Sequence, residues 1–252
     1  MNLLDLFVKI SVDDQASSNL GGIASKIGSG LKTAAKIGTA AVTAAAGAVS
    51  LLTKQSLDGY AEYEQLVGGV ETLFKQSADQ VIEYANRAYE TAGLSANEYM
   101  DTVTSFSASL LQGLGGDTEK AAEVANQTVI DMADNANKMG TSMEMIQNAY
   151  QGFAKQNYTM LDNLKLGYGG TATEMARLIN DSGVLGDTVE VTADTVNSVS
   201  FDKMIEAIHV IQDQMGITGT TAEEAASTIE GSLNMMKSAW ANLVTGIADD
   251  NA

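Results

Sequence analysis

The sequence predicts a mainly α-helical fold, a Gly/Ala-rich N-terminal helix followed by a multi-helix bundle-like domain, and three observations carry that expectation. The 252 residues contain no proline, where average usage of about 5% would place roughly 13 in a chain of this length. Without proline, a helix stops only at glycine, at a cap or at a charge. Apolar residues then recur at three- and four-residue spacing through most of the chain, and those stripes begin at Ser/Thr-x-x-Glu/Gln signals and end at glycines.

Taken in order, residues 1–19 form a leader in which Leu6, Val8, Ile10 and Val12 alternate with Phe7, Lys9, Ser11 and Asp13, the period of a short strand. It does not read as a signal peptide, because Asp5 and Lys9 interrupt the basic and apolar regions such a peptide needs. Residues 20–57 form a Gly/Ala-rich helical segment with Ile23, Ile27, Leu31, Val42, Val49 and Leu52 near helical spacing. Ile37 to Thr53 carries no charge and is bracketed by Lys36 and Lys54, at the lower limit of a membrane-spanning length. Its strong inserters, Ile37, Val42, Val49, Leu51 and Leu52, together contribute only about −1.5 to −3 kcal/mol, nearly cancelled by Gly, Thr and Ser. Residues 31–53 are therefore expected to meet a membrane conditionally. Small residues four apart, such as Ala40, Ala44 and Ala48, suit close helix packing equally well.

Residues 58–247 form an acidic helical domain. Leu66, Val67, Val70, Leu73 and Phe74 make its first stripe. Capping boxes are expected at Ser77/Gln80, Ser95/Glu98, Thr141/Glu144, Thr171/Glu174 and Thr221/Glu224. Glycine stops follow at Gly93, in GLGGD at 113–117 and at Gly140. The stripe Ala121, Val124, Ala125, Val129, Met132, Ala136, Met139 marks a long helix between two of those stops. GVLGDTVEVTADTVNSVS at 183–200 is rich in β-branched and turn residues and reads as an exposed loop or small hairpin. Two helices then follow, through Phe201 to Met215 and through Ile229 to Val244, with Trp240 as an expected core anchor. No 20–50-residue period recurs. Residues 248–252 are a tail end.

Composition limits the chemistry. With no cysteine and one histidine, His209, disulfides, zinc–thiolate sites and Cys or Ser–His nucleophiles are excluded or left without partners. Net charge is −18, which repels phosphate backbones and argues against nucleic-acid binding. The charge is uneven: Gln15–Leu57 carries four lysines and no acid, whereas 58–252 carries 9 basic against 29 acidic residues. GLGGDTEK at 113–120 lacks phosphate-loop spacing and reads as a turn between helices. GYGGT at 167–171 precedes a helix and serves either positive φ or, less simply, an anion. The adjacent acids Asp13/Asp14, Glu223/Glu224 and Asp249/Asp250 diverge on a helix and read as solvated faces. His209, between Ile208 and Val210, reads as a packed or surface residue, and the twelve methionines as adaptable packing or a partner surface. No catalytic, cofactor-binding or metal-binding residue is assigned, and no enzymatic activity is expected.

Three strings carry a resemblance. YEQLVGGVETLFKQSADQVIEYANRAYETAGLSANEYMDTVTSFSASLLQGLGGDTEKAAE at 63–123, DMADNANKMGTSMEMIQNAYQGFAKQNYTMLDNLKLGYGGTATEMARLI at 131–179 and VIQDQMGITGTTAEEAASTIEGSLNMMKSAWANLVTGIADD at 210–250 resemble the N-terminal region of tail tape measure proteins of phages and prophages of Gram-positive bacteria. The resemblance implies a structural minor tail protein of the virion. Such a protein fills the tail-tube lumen, sets tail length during assembly, and leaves with the genome to help it cross the host envelope. It implies the tail tube protein, tail assembly chaperones and distal tail or baseplate proteins as partners, with self-association and host-membrane contact through 31–53. Its expected locations are the host cytoplasm during assembly, the virion tail lumen, and the host membrane on ejection. Tape measures usually run far beyond this length, so the chain is expected to be a fragment or truncated copy. The alternative is a membrane-active pore-forming or holin-like helical protein, in which 20–57 would be the functional part.

Overall fold

The computed structural model describes residues 39–186, 188–227 and 229–246, with side chains from 55 onwards other than 187, 226, 228–230 and 232. The expected strand in 1–19, the first part of the expected helical segment (20–38) and the tail end at 248–252 lie outside the described residues, as do Asp13, Asp14, Asp249 and Asp250. The fold is mainly helical and bundle-like, with no strand among the described residues. Its helices are α1 (Thr39–Phe74), α2 (Ala78–Thr91), α3 (Ala96–Gly113), α4 (Thr118–Met139), α5 (Met143–Phe153), α6 (Ala172–Ser182), α7 (Phe201–Gln214), α8 (Thr220–Ser227) and α9 (Ile229–Gly246). Three 3-10 turns intervene at Lys75–Ser77, Leu161–Leu164 and Val196–Ser198. No described helix is long and apolar enough to cross a membrane.

The described residues fall into two compact units, 65–239 and 39–64 with 240–246. In the second, Tyr60 and Tyr63 stack with ring centroids 6.2 Å apart, and a Cβ at Gly59 would stand 2.8 Å from Thr245 Oγ1. Helix α1 runs unbroken through the expected boundary at 57/58 and through Gly68 and Gly69.

In the first unit α4 is the central helix. It packs against α2, α3, α5, α7 and α8. Small residues make that possible: Ala121, Ala122 and Ala125 are fully buried and let neighbouring axes approach, while Val129 and Met132 fill the space beyond. Tyr99, Met100, Val103, Phe106 and Leu110 face it from α3, and Ile146, Ala149, Tyr150 and Phe153 from α5. Phe106 meets Phe201 of α7 edge-on at 6.3 Å. The last turn of α1 contributes Val70 and Phe74, both fully buried.

Glycine ends the helices where expected: Gly140 closes α4 at φ +63°, and Gly93, Gly115, Gly116 and Gly183 also hold positive φ. The caps divide. Ser95 and Glu98 form a complete capping box, and Thr171 Oγ1 accepts from the Glu174 amide. Ser77 does not cap α2, because the 3-10 turn before it leaves its backbone non-extended, and its hydroxyl pairs with Thr118 Oγ1 at 3.0 Å instead. At α5 the cap is Ser142 rather than Thr141, whose hydroxyl donates to Asn163 O. At α8 Thr221 lies inside the helix, beyond any capping position.

Residues 183–200 form an irregular loop rather than a hairpin, and it is only partly exposed. Asn180 grips both backbone groups of one loop residue, donating to Val191 O at 2.8 Å and accepting from Val191 N at 2.9 Å. Val191 and Val196 are buried. Trp240 is not a core anchor: it is 45% exposed.

The contrast between the two serines is measurable. Ser95→Ala removes the cap of α3 and should cost about 1 kcal/mol in chemical denaturation. In a Ser77/Thr118 double-alanine cycle the two losses should instead be non-additive.

Candidate functional site

The polar residues that the fold draws together lie on α4. Asp131, Asp134 and Asn135 are at most 1% exposed, in the middle of a helix whose sequence reads there as amphipathic. A buried polar atom without a partner costs about 1–3 kcal/mol, so the informative question is what each one bonds.

Asp134 holds the start of α8. Its two carboxylate oxygens accept from Gly219 N at 2.6 Å and Thr221 N at 2.8 Å, so the start of α8 is held by a residue 85 or more positions away and not by a Thr221/Glu224 box.

Asn135 donates to Leu164 O at 3.0 Å, which fixes the connector between α5 and α6. That connector is 154–171. Tyr158, Leu161, Leu164 and Leu166 are buried in it. Lys165 sits at φ +54° and sends its ammonium to Met139 O at 2.8 Å, a charge on the last carbonyls of α4.

Asp131 meets His209 of α7. Nδ1 lies 2.9 and 3.0 Å from the carboxylate oxygens, and Gln127 donates to the same carboxylate at 2.9 Å. Burial pushes the Asp131 carboxyl up, outweighing the pull of His209 in the other direction. The hydrogen bond to Asp131 pushes His209 up, with Asp213 and Glu206 adding to it and partial burial opposing it. His209 is thus a surface-facing half of a clasp, 34% exposed, whose other half is buried. The expectation of a merely packed or surface histidine missed this, since nothing local to 209 reports a carboxylate 78 residues earlier.

GYGGT at 167–171 is not an anion cradle. Gly167 holds φ +86°, as expected, but Gly169 N donates to Glu174 Oε2 at 3.2 Å, so the local amides face the chain's own carboxylate. Arg177 pairs with Glu174, whose carboxyl that bond holds below the usual range, and lies 4.3 Å over the Tyr168 ring. Burial and the bond to Asp181 push the Tyr168 phenol up to about 12. Gly170 is required by proximity, because a Cβ there would collide with Thr159 O. GLGGDTEK is the expected turn, with Asp117 capping α4 through Lys120 N. Of the adjacent acids, Glu223 is exposed and Glu224 accepts from Asn137 at 2.9 Å.

No known protein family, curated protein or solved structure matches this chain. No group of three or more His, Asp or Glu able to hold a metal occurs among the described residues. What the α4 residues can do chemically is hold: each ties the central helix to an element distant in sequence.

Asp134→Ala should therefore cost about 2–3 kcal/mol, the penalty for stranding part-buried amides, read from denaturant midpoints. The clasp predicts a pH dependence. A histidine raised on folding contributes in full below its unfolded value, about 6.5, and the contribution is lost as pH rises through the folded value. The stability gap between wild type and His209→Gln should be wider at about pH 6 than at about pH 8.5, and equal gaps would show that the ring is not titrating against Asp131.

Proposed function

We propose that this chain is a structural part of a phage or prophage tail, corresponding to the N-terminal region of a tail tape measure protein. The observation that carries the reading is the run NYTMLDNLKLGYGGT at 157–171, the most idiosyncratic of the strings that resemble that family. In the fold this run is a connector whose residues are taken up by packing and by hydrogen bonds to other parts of the same chain. A signature made of fold-holding residues suits a protein whose role is structural. Tail tube protein, tail assembly chaperones and distal tail or baseplate proteins are its proposed partners. Its net charge of −18 suits a lumen through which DNA must pass without adhering.

Within that role, the part of the expected domain 58–247 that surrounds α4, residues 65–239, acts as a folded unit and not as a length of ruler. An extended helix would contribute about 1.5 Å per residue, but α2, α3, α5, α7 and α8 are folded back against α4. The test is electron microscopy of tails from a phage whose copy lacks 118–139, the 22 residues of α4. Loss of tails or of infectivity is expected, because the central helix of the unit is gone. Infectious particles with tails about 33 Å shorter would overturn the folded-unit reading. Normal tails of full length would overturn the tail role itself.

A further inference from the structure

The buried polar atoms that lack a partner within the chain are not scattered. Among the described residues, seven side-chain atoms are buried without such a partner, and five of them belong to Asn135, Gln212, Thr218 and Thr221. Gln212 is the extreme case. It lies in the last turn of α7, it is 0% exposed, and neither its amide oxygen nor its amide nitrogen bonds another group of the protein. Asn135, equally buried, gives its NH2 to Leu164 O and leaves Oδ1 without a donor. Groups so placed have given up solvent and gained nothing from the chain in exchange.

The helices bring these two amides to one level. Asp131 meets His209, and Asp134, three residues further on, reaches Gly219 in the turn that follows α7, so α4 and α7 run side by side in the same direction. Residues three and four apart share a face of a helix. One turn beyond the clasp, α4 therefore presents Asn135 and α7 presents Gln212. Thr218 and Thr221 belong to the same end of the pair, in the turn and the start of α8 that Asp134 holds.

The chemistry of the atoms selects what meets them. Asn135 Oδ1 and Gln212 Oε1 need a donor, whereas Gln212 Nε2 needs an acceptor. A cation would serve the oxygens and strand the NH2. An anion would serve the NH2 alone, within a helical turn of the Asp131 and Asp134 carboxylates. Exchanging the oxygen and nitrogen of the Gln212 amide leaves the same mixed demand. Water both donates and accepts, and three polar partners is the usual complement of a buried water molecule.

We propose that α4 and α7 bind an ordered water molecule between them, which donates to Asn135 Oδ1 and Gln212 Oε1 and accepts from Gln212 Nε2. It forms a second rung beyond the Asp131–His209 clasp, so that α7 is fixed to α4 at two levels and cannot swivel about one. The proposal rests on these side chains alone and is independent of the tail role. Water-selective ROESY spectra of the full 15N-labelled chain test it. The Gln212 NH2, assigned through its own backbone, should show a cross-peak to the water resonance opposite in sign to the diagonal, as a through-space contact requires. Oxygen-17 relaxation dispersion should count one long-lived water fewer in Gln212→Met, which keeps the side-chain length and removes both polar atoms. A missing cross-peak in the wild type overturns the proposal, as does one with the sign of the diagonal, which reports hydrogen exchange instead of a bound molecule. A contact between the Gln212 and Asn135 amides with none to water overturns it too, and so does an unchanged count of long-lived waters in a folded Gln212→Met chain.

Discussion

The fold depends on one constraint, that the buried carboxylates of α4 and the Asn135 amide NH2 find partners elsewhere in the chain. Asp131, Asp134 and Asn135 lie within a single helical turn of one another and are cut off from water. Their own helix has no spare backbone donors for them, so partners must come from other elements. The carboxylate of Asp134 takes the α8 amides, the amide of Asn135 takes the connector, and Asp131 takes α7 through His209. Apolar packing would bring these segments together in many registers. Bonds with fixed donors and acceptors admit few, because a slip of one residue leaves charged or amide groups buried and unpaired.

How much of this was legible in the sequence follows from the range of each signal. Helix ends set by glycine were readable, since positive φ at Gly140 or Gly93 is a property of that residue and its neighbours. The Ser95 box was readable for the same reason. The Ser77, Thr141 and Thr221 readings failed because a hydroxyl near a helix start has a choice of partners, and the spacing rule sees only the local one. Thr118 stands 41 residues from Ser77 and Asn163 stands 22 from Thr141. At α8 the first amides are taken by a carboxylate from α4, with Thr221 already inside the helix. Periodicity found the apolar half of α4, through Ala121, Ala125, Val129 and Met132. It passed over Asp131, Asp134 and Asn135, because a pattern of hydrophobicity assigns every acid to solvent.

The same limit explains α9. Its stripe of Leu233, Met236, Trp240 and Leu243 is a strong helical pattern, and a pattern shows that one face wants burial without showing against what. Here the chain's own body takes the opposite face, where Gly231 allows an approach that any side chain would block and Ser238 finds a carbonyl. Leu233 and Met236 are exposed instead, and the reading of Trp240 as a core anchor does not hold for a side chain 45% exposed.

The connector at 157–171 shows why an unusual string need not mark a chemical site. Asn157 accepts from Thr159 N to close a turn, and Tyr158 reaches Asn197 at 2.9 Å. Leu161, Leu164 and Leu166 enter the core, while the carbonyls of Asn163 and Leu164 accept from Thr141 and Asn135. Lys165 adopts positive φ and neutralises the end of α4. Gly167 turns the chain to let Arg177 reach its carbonyl at 2.9 Å. Tyr168 is held between Arg177 and Asp181, and Gly170 passes against Thr159. Most side chains in the run are committed to the fold itself, with Met160 and Asp162 exposed. The identity of each residue is thus constrained by internal geometry, with little left over to bind a substrate, and a chain related to this one would need the same string to build the same connector. The unusual string is accounted for by the connector that it builds, through bonds and packing that reach other elements of the chain or its own turns.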